Sequence, residues 1–221
     1  MTVSTHTMQA AVLALLFGTL AGTAYAQAAA PDDGSYIGLG AGALRSPDMQ
    51  HDAINAALRA QGLDLRTTRV EDHDTGWKLY AGQRLGRHLA VEGGYTALGR
   101  YRYEGQVVQD PGTVQATYKA GSWNLAALAI LPLVGAVEAY GKAGFGYWQT
   151  RLDVQGSFSG SSAQPARAHG TGPLWGLGAS WRSSGTLSVR IEWERFGHIG
   201  QADRTGRADI DFASVSLQHH F

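Results

Sequence analysis

The sequence contains no cysteine, carries no excess charge of either sign and has no long apolar run in its main part. Without cysteine there is no disulfide framework, no thiolate nucleophile and no cysteine-based metal site. The 18 Lys and Arg residues balance the 18 Asp and Glu residues, so no general electrostatic attraction draws the chain to nucleic acid. Beyond residue 27, the longest apolar stretch runs from Leu125 to Val137, and Pro132 and Gly135 interrupt it. It is too short to cross a bilayer as a helix.

Charged residues are also scarce, at 16%, whereas glycine is abundant, with 30 residues. Glycine disfavours helix interiors, so this composition argues against a helical soluble domain. The eight histidines are scattered along the chain, and His219 and His220 would point to opposite faces of a strand. We therefore expect no metal site and no cofactor.

The N-terminus has the pattern of an export signal. Residues 10–20 form a short apolar core, and Ala24-Tyr25-Ala26 is a small-x-small cleavage site. We predict a signal peptide over residues 1–26 that is cleaved after Ala26, a short N-terminal segment over 27–34 and one domain over 35–221. The region before the apolar core has no Lys or Arg, which signal peptides usually carry there, so the translation start stays open.

From residue 35 onward, apolar and polar residues alternate with period two in segments of about ten residues. This alternation is typical of a transmembrane β-barrel, whose strands face lipid on one side and a polar interior on the other. We predict an all-β fold, an eight-stranded antiparallel barrel with up-and-down meander connections. The predicted strands cover residues 36–44, 77–85, 89–97, 117–131, 137–149, 174–181, 187–196 and 209–221.

The two faces of these strands differ sharply in composition. One face, which includes Trp123 and Leu125, contains no Asp, Glu, Lys or Arg, whereas the other collects charges of both signs and many glycines. In a soluble β-sandwich the apolar face would be the core, so alternation alone does not decide. Glycines and paired charges favour a narrow lumen in which side chains crowd. We assign to a lumen charge network the residues Lys78, Arg84, Glu92, Lys142, Arg190 and Glu192.

Connections and aromatic residues favour one orientation in the membrane. Tight turns follow the second, fourth and sixth predicted strands. Long loops follow the first, third, fifth and seventh and cover 45–76, 98–116, 150–173 and 197–208. Within the first of these loops we predict a helix over 51–61. Short turns are typical of the periplasmic end of a barrel and long loops of the outer end. With the first strand running outward, the predicted interfacial girdle consists of Trp77, Tyr147, Trp175 and Trp193 at the outer rim and Trp181 at the periplasmic rim.

Several ordered stretches resemble the OmpA-like transmembrane domain family over essentially the whole mature chain. They are Asp74-Thr-Gly-Trp-Lys-Leu-Tyr-Ala-Gly82, Ala90-Val-Glu-Gly-Gly-Tyr95, Tyr140-Gly-Lys-Ala-Gly-Phe-Gly-Tyr-Trp148, Gly172-Pro-Leu-Trp-Gly-Leu-Gly178, Val189-Arg-Ile-Glu-Trp-Glu-Arg-Phe196 and the terminal segment 209–221. The resemblance implies an eight-stranded outer-membrane barrel whose interior charges block or gate a narrow water path. Glu92, Lys142, Arg190 and Glu192 match the residue types of that interior network. Because the sequence ends at Phe221, we expect no peptidoglycan-binding domain after the barrel.

We predict an integral outer-membrane protein without enzymatic activity, with a role in envelope integrity and a narrow or occluded pore. The interior charges are expected to pair structurally rather than to gate ions. The expected partners are outer-membrane lipids and the outer-membrane assembly machinery, for which Phe221 resembles the terminal aromatic signal, and the expected state is a monomer. One alternative is adhesion or surface recognition through the long loops. Another is a lipid A-modifying enzyme, for which His198 would lack a serine nucleophile, since position 200 is glycine.

Overall fold

The computed structural model describes residues 33–46, 65–70, 73–107, 113–156, 166–201 and 207–221. These residues form nine antiparallel strands: β1 (Asp33–Arg45), β2 (Leu65–Val70), β3 (His73–Leu85), β4 (Leu89–Val107), β5 (Thr113–Pro132), β6 (Val137–Gly156), β7 (Ala166–Arg182), β8 (Leu187–Ile199) and β9 (Ala208–His220). No helix in the described part of the chain is long and apolar enough to cross a membrane. The predicted signal peptide and the predicted helix over 51–61 lie outside the described residues.

Eight of the strands close into a barrel, as the alternation predicts. Each strand from β3 to β8 pairs with the next strand in sequence, β1 pairs with β3, and β9 pairs back with β1. At the β1–β9 seam, ten residue pairs are in register from Tyr36↔His220 to Arg45↔Asp211. Beyond these pairs, the amide of Phe221 donates to the carbonyl oxygen of Ser35 at 3.0 Å. A closed ring leaves no barrel edge unpaired, which a strand fold in lipid requires.

The ninth strand, β2, was not predicted, and it lies within the expected first loop. It pairs with the outer end of β4, at Val70↔Tyr103 and Leu65↔Val107, where β4 extends beyond its partner β3. Most strands are also longer than predicted at their outer ends. β4 continues to Val107, β6 continues to Gly156, and β7 begins at Ala166, so residues expected to be loops are strand. The reason is that hydrogen-bonded pairing continues through polar sequence without needing an apolar face.

A β-bulge in β4 interrupts the alternation of inward and outward residues beyond Ala97. The register with β5 shifts between Ala97 and Arg100, and Gly99 has φ of 83°, a value that favours glycine. The Asp74 carboxylate accepts hydrogen bonds from the amides of Thr75 and Arg100 at this point. The bulge inserts one residue, so the alternation of faces is out of phase in the sequence beyond it.

Tight turns join β3 to β4, β5 to β6 and β7 to β8, all at the same end of the barrel. Gly86 and Gly135 take positive φ values of 95° and 66° in the first two turns. Short turns mark the periplasmic end, so β1 runs outward. This orientation defines the inner and outer ends of the lumen described below.

Candidate functional site: the barrel interior

The barrel interior contains a network of six buried charged residues near the middle of the wall. The cations come from β3, β6 and β8 and the anions from β4 and β8, each at an inward position of the alternation. We define the charge network as Lys78, Glu92, Lys142, Arg190, Glu192 and Glu194. With three cations and three carboxylates, the network is formally neutral, as burial in a low-dielectric interior requires.

Lys142 contacts all three carboxylates of the network, on two strands. Its Nζ lies 2.6 Å from Glu92, 2.8 Å from Glu192 and 2.9 Å from Glu194. Lys78 Nζ contacts Glu192 and lies 2.7 Å from Glu194. The side chain of Glu192 is fully buried and contacts all three cations of the network. Each of the six buried charges therefore has at least two partners of opposite sign.

Arg190 is the most heavily contacted member of the network. Its Nη1 donates to Glu92 Oε2 at 2.8 Å and to Gln218 at 2.9 Å, its Nη2 donates to Glu192 at 3.3 Å, and its Nε donates to the Tyr140 hydroxyl at 3.0 Å. The guanidinium carbon also lies 4.6 Å from the ring centres of both Tyr80 and Tyr140. Arginine suits this position because its planar group accepts stacking on both faces while its edge donates hydrogen bonds.

Sequence reasoning placed Glu194 on the inward face but did not assign it to the network. The signal was present, because Glu194 follows Glu192 by two residues on β8 and so shares its face. The predicted member Arg84 lies in the lumen but not in this network. Its guanidinium instead forms two hydrogen bonds with Glu138, at 2.9 and 3.0 Å, close to the periplasmic turns.

An apolar cluster fills the lumen on the outer side of the charge network. It is built from inward-facing residues at the outer ends of seven barrel strands. We define the outer cluster as Leu44, Leu98, Tyr118, Ala126, Trp148, Ala168, Leu174, Phe196, Ile199, Ile210 and Phe212. Phe212 and Leu98 are completely inaccessible to solvent. The inward face thus becomes apolar toward the outer end, and the sequence analysis did not identify this cluster.

A second apolar cluster lies on the periplasmic side of the network. We define the periplasmic cluster as Tyr36, Tyr80, Ala90, Leu128, Ile130 and Tyr140. The hydroxyl of Tyr36 donates to Glu92 Oε2 at 3.2 Å, so this cluster is hydrogen-bonded to the charges above it. The charge network is thus enclosed between two apolar layers.

The free space in this interior is small. A cavity between the charge network and the outer cluster has a water-accessible volume of about 10 Å³, enough for the centre of a single water molecule. It is lined by Lys78, Glu92, Lys142 and Glu194 together with Thr96 and Asn124. A site of this size can hold a bridging water but no organic ligand.

The inward glycines have no room for a side chain. A Cβ built on any of the nine lies within 3 Å of a neighbouring atom: Gly38, Gly40, Gly42, Gly82, Gly94, Gly144, Gly146, Gly176 and Gly178. At Gly38 and Gly82 the obstructing atoms belong to the Tyr80 and Tyr36 rings. The prediction that these glycines reflect a crowded lumen is confirmed.

The lipid-facing wall carries the aromatic residues assigned to the girdle. Trp77, Tyr147 and Trp175 are exposed on the outer surface, whereas Trp193 and Trp181 are half-buried. A row of rings crosses three strands, with ring centres of Trp77 and Tyr95 5.6 Å apart and those of Tyr95 and Trp123 5.1 Å apart. Trp175 and Trp193 pack edge to face at 4.9 Å. Exposed apolar side chains on a closed barrel are expected only where lipid covers them.

A closed, eight-stranded barrel with an apolar outer wall and a charged interior is the architecture of a small outer-membrane protein. A family model for the OmpA-like transmembrane domain matches residues 30–221. The chain belongs to that family and is an integral protein of the outer membrane.

Individual relatives agree with this assignment. Outer membrane protein A of Yersinia pseudotuberculosis is 30% identical over 145 residues, which are 64% of this chain and 38% of that protein. The protein of the same name from Salmonella typhi is 25% identical over 203 residues, or 91% of this chain and 53% of that protein. The chain thus spans about half the length, or less, of these curated relatives. The crystal structure of OprG from Pseudomonas aeruginosa shares the fold, with a TM-score of 0.51 at 16% identity, over 87% of this chain and 98% of that one.

Proposed function

We propose that this barrel is a non-conducting, non-enzymatic structural protein that supports the integrity of the outer membrane. The observation that carries the proposal is the filling of the lumen at three successive levels: the outer cluster, the charge network and the periplasmic cluster. A small barrel whose interior is filled by side chains has a packed core and no open channel. Such a barrel would contribute to membrane integrity as a stable protein embedded in the lipid.

The three levels would oppose ion passage by different physical means. The apolar layers offer no hydrogen-bonding partner to replace the water around an ion, which is costly in a narrow space. The charged layer has its carboxylates and cations already satisfied by one another, so an ion entering it must displace an existing pair. An open path would require rearrangement at all three levels.

The proposal includes the route by which the chain reaches the membrane. Residues 1–26 serve as a signal peptide cleaved after Ala26, and the chain then inserts as a monomer in contact with outer-membrane lipids. Phe221 supports recognition by the assembly machinery, because its side chain is 76% exposed and lies next to the β1–β9 seam.

A lipid A-modifying activity has no comparable support. His198 has φ of 61°, and its amide donates to Asp209 at 2.9 Å, which fixes the backbone at the outer end of β8. Acyl transfer would need a nucleophile beside this histidine, and position 200 is glycine. The residue is better explained as part of the connection between β8 and β9.

Purified protein reconstituted in planar lipid bilayers is expected to show no steady ion conductance. The reason is that side chains of the barrel strands fill the lumen at three successive levels. A variant in which residues 157–165 are replaced by a short Asn-Gly turn should therefore remain silent as well. Heat-modifiable migration on gels serves as the check that both proteins are folded. Step-like conductance of the wild type that survives this shortening would contradict the occluded barrel.

Recognition at the cell surface is a second candidate function, and the length of the strands favours it. β4, β5 and β6 contain 19, 20 and 20 residues, whereas about 9–11 tilted residues span the bilayer. The wall formed by these strands and β2 therefore projects beyond the membrane, where it can present a binding surface. Shortening the β4–β5 and β6–β7 hairpins should abolish binding of whole cells to host surfaces without affecting barrel folding. Unchanged binding would contradict this role.

A further inference from the structure

Four basic residues occupy directly opposite positions on four neighbouring strands. Arg100 of β4 pairs with Lys119 of β5, Lys119 pairs with Arg151 of β6, and Arg151 pairs with Arg167 of β7. All four are exposed. Lys119 and Arg151 each lie four residues outward from the exposed aromatics Trp123 and Tyr147, so the row shares their face of the wall. We define these four residues as the basic row.

The basic row is unfavourable for the isolated barrel. Like charges directly opposite each other on adjacent strands repel and reduce stability. Among the side chains that the structure describes, the row has one ion pair, between Arg151 and Asp153 at 2.8 Å. The row therefore concentrates like charges on adjacent strands, and an anion bound from outside the chain would reduce their repulsion.

The other side of the barrel shows the contrasting arrangement. Arg45, Asp211 and Arg195 occupy opposite positions on β1, β9 and β8, so the charges alternate in sign. Arg195 and Asp211 form two hydrogen bonds, at 2.7 and 2.8 Å. On this side an acid stands between two bases and pairs with one of them, whereas the basic row places four bases next to one another.

The height of the row matches the headgroup layer of the outer leaflet. Lys119 lies twelve residues from Leu131, an exposed residue near the periplasmic turns, on the same strand. Twelve residues correspond to about 40 Å along the strand, or roughly 30 Å in height at the usual strand tilt. The apolar band of such barrels is about 25 Å tall, so Lys119 lies just outside it.

The row crosses the wall obliquely. With a strand spacing of about 4.8 Å, four strands extend over roughly 14 Å, and the tilt spreads the row over roughly 9 Å in height. Long Lys and Arg side chains can adjust their ends by several ångströms toward a common level. The row can therefore engage more than one phosphate group at once.

We infer that the basic row binds the phosphate groups of lipids in the outer leaflet of the membrane. Arginine and lysine are the side chains that recognise phosphate, arginine through paired hydrogen bonds and lysine as a point charge. The neighbouring rings of Trp77, Tyr95 and Trp123, which lie nearer the membrane centre on the same face, would contact the same lipids at the interface. This inference rests on the location of the barrel in the outer membrane and is independent of whether the lumen conducts.

Lipid titration followed by native mass spectrometry tests the inference. Folded protein in detergent micelles is titrated with bis-phosphorylated lipid A, and Lys119→Gln/Arg167→Gln is compared with the wild type. A cation near an anionic lipid surface contributes about fivefold to affinity, so the double variant should bind on the order of twentyfold more weakly. Fully dephosphorylated lipid A should bind the wild type at least as weakly as the phosphorylated lipid binds the double variant, because Arg100 and Arg151 remain in that variant.

Matched variants separate this site from general charge effects. Arg167→Gln should weaken lipid A binding about fivefold, whereas Arg87→Gln, which removes the same charge from the exposed turn at the periplasmic end, should leave it unchanged. If the double variant does not fold, this pair of single variants carries the test. Equal affinity of the wild type and the Lys119 and Arg167 variants would overturn the inference. Full competition by millimolar inorganic phosphate would overturn it as well.

Discussion

Replacing Arg190 with methionine is expected to lower the free energy of unfolding by about 3–5 kcal/mol. Methionine retains much of the side-chain volume but leaves the carboxylates of Glu92 and Glu192 with one cation fewer. Arg190 also holds Gln218 and the Tyr140 hydroxyl, and those buried groups would lose a charged donor. Urea titration of protein folded in lipid vesicles, followed by the loss of heat-modifiable migration, measures the change.

A charge-balanced double variant distinguishes pairing from packing in this prediction. In Glu92→Gln/Arg190→Met, two cations and two carboxylates remain in the charge network, so the interior is neutral again. The double variant should be at least about 1 kcal/mol more stable than the sum of the two single losses predicts. Strictly additive losses would show that Arg190 contributes through its contacts with Tyr80 and Tyr140 and not through charge compensation.

The eight barrel strands and their faces could be predicted because alternation is a local property of the sequence. Trp123 and Leu125 lie on the wall and Lys142 and Glu192 in the lumen because residues two apart share a face. The periplasmic turns could be predicted from the sequence as well, since Gly86 and Gly135 mark tight turns with positive φ.

The pairing of individual charges could not be predicted in the same way. Which lumen residues share a level depends on the stagger between strands, and that stagger is set by closure of the whole ring. Arg84 therefore meets Glu138 instead of the network, although both it and Lys78 face inward on β3. The sequence of a single strand determines which residues face the lumen, whereas the contacts between them depend on all eight strands.

The outer part of the barrel was the least predictable for a related reason. Above the membrane the strand exterior faces water, so apolar alternation no longer marks a strand. β2 and the outer halves of β4 and β6 mix polar and apolar residues without a lipid-facing apolar stripe, and they are paired by backbone hydrogen bonds. The outer cluster was not predicted, although Leu44, Leu174 and Phe196 each lie at an inward position of the alternation.

Valine at position 144 is expected to prevent closure of the barrel or to lower its stability by more than about 3 kcal/mol. A Cβ on Gly144 would lie 2.6 Å from the Cα of Ala126 on the neighbouring strand β5 and would overlap the carbonyl oxygen of Leu125. These are backbone atoms of a paired strand, so they cannot move aside without breaking the β5–β6 ladder. The measurement is the fraction of protein that shows heat-modifiable migration after refolding into lipid vesicles.

Gly141→Val on the same strand provides the matched control. Gly141 faces the lipid, and the atom nearest to its Cβ position is Leu177 Cδ2 at 3.8 Å, an ordinary van der Waals contact. Valine has a higher strand propensity than glycine and adds apolar surface toward lipid, so this variant should fold as well as the wild type or better. The two substitutions are identical in chemistry and three residues apart, and they differ in the face that they occupy. If both variants refold equally, the lumen is not as tightly packed as the occluded barrel requires, and the structural role proposed for it would lose its physical basis.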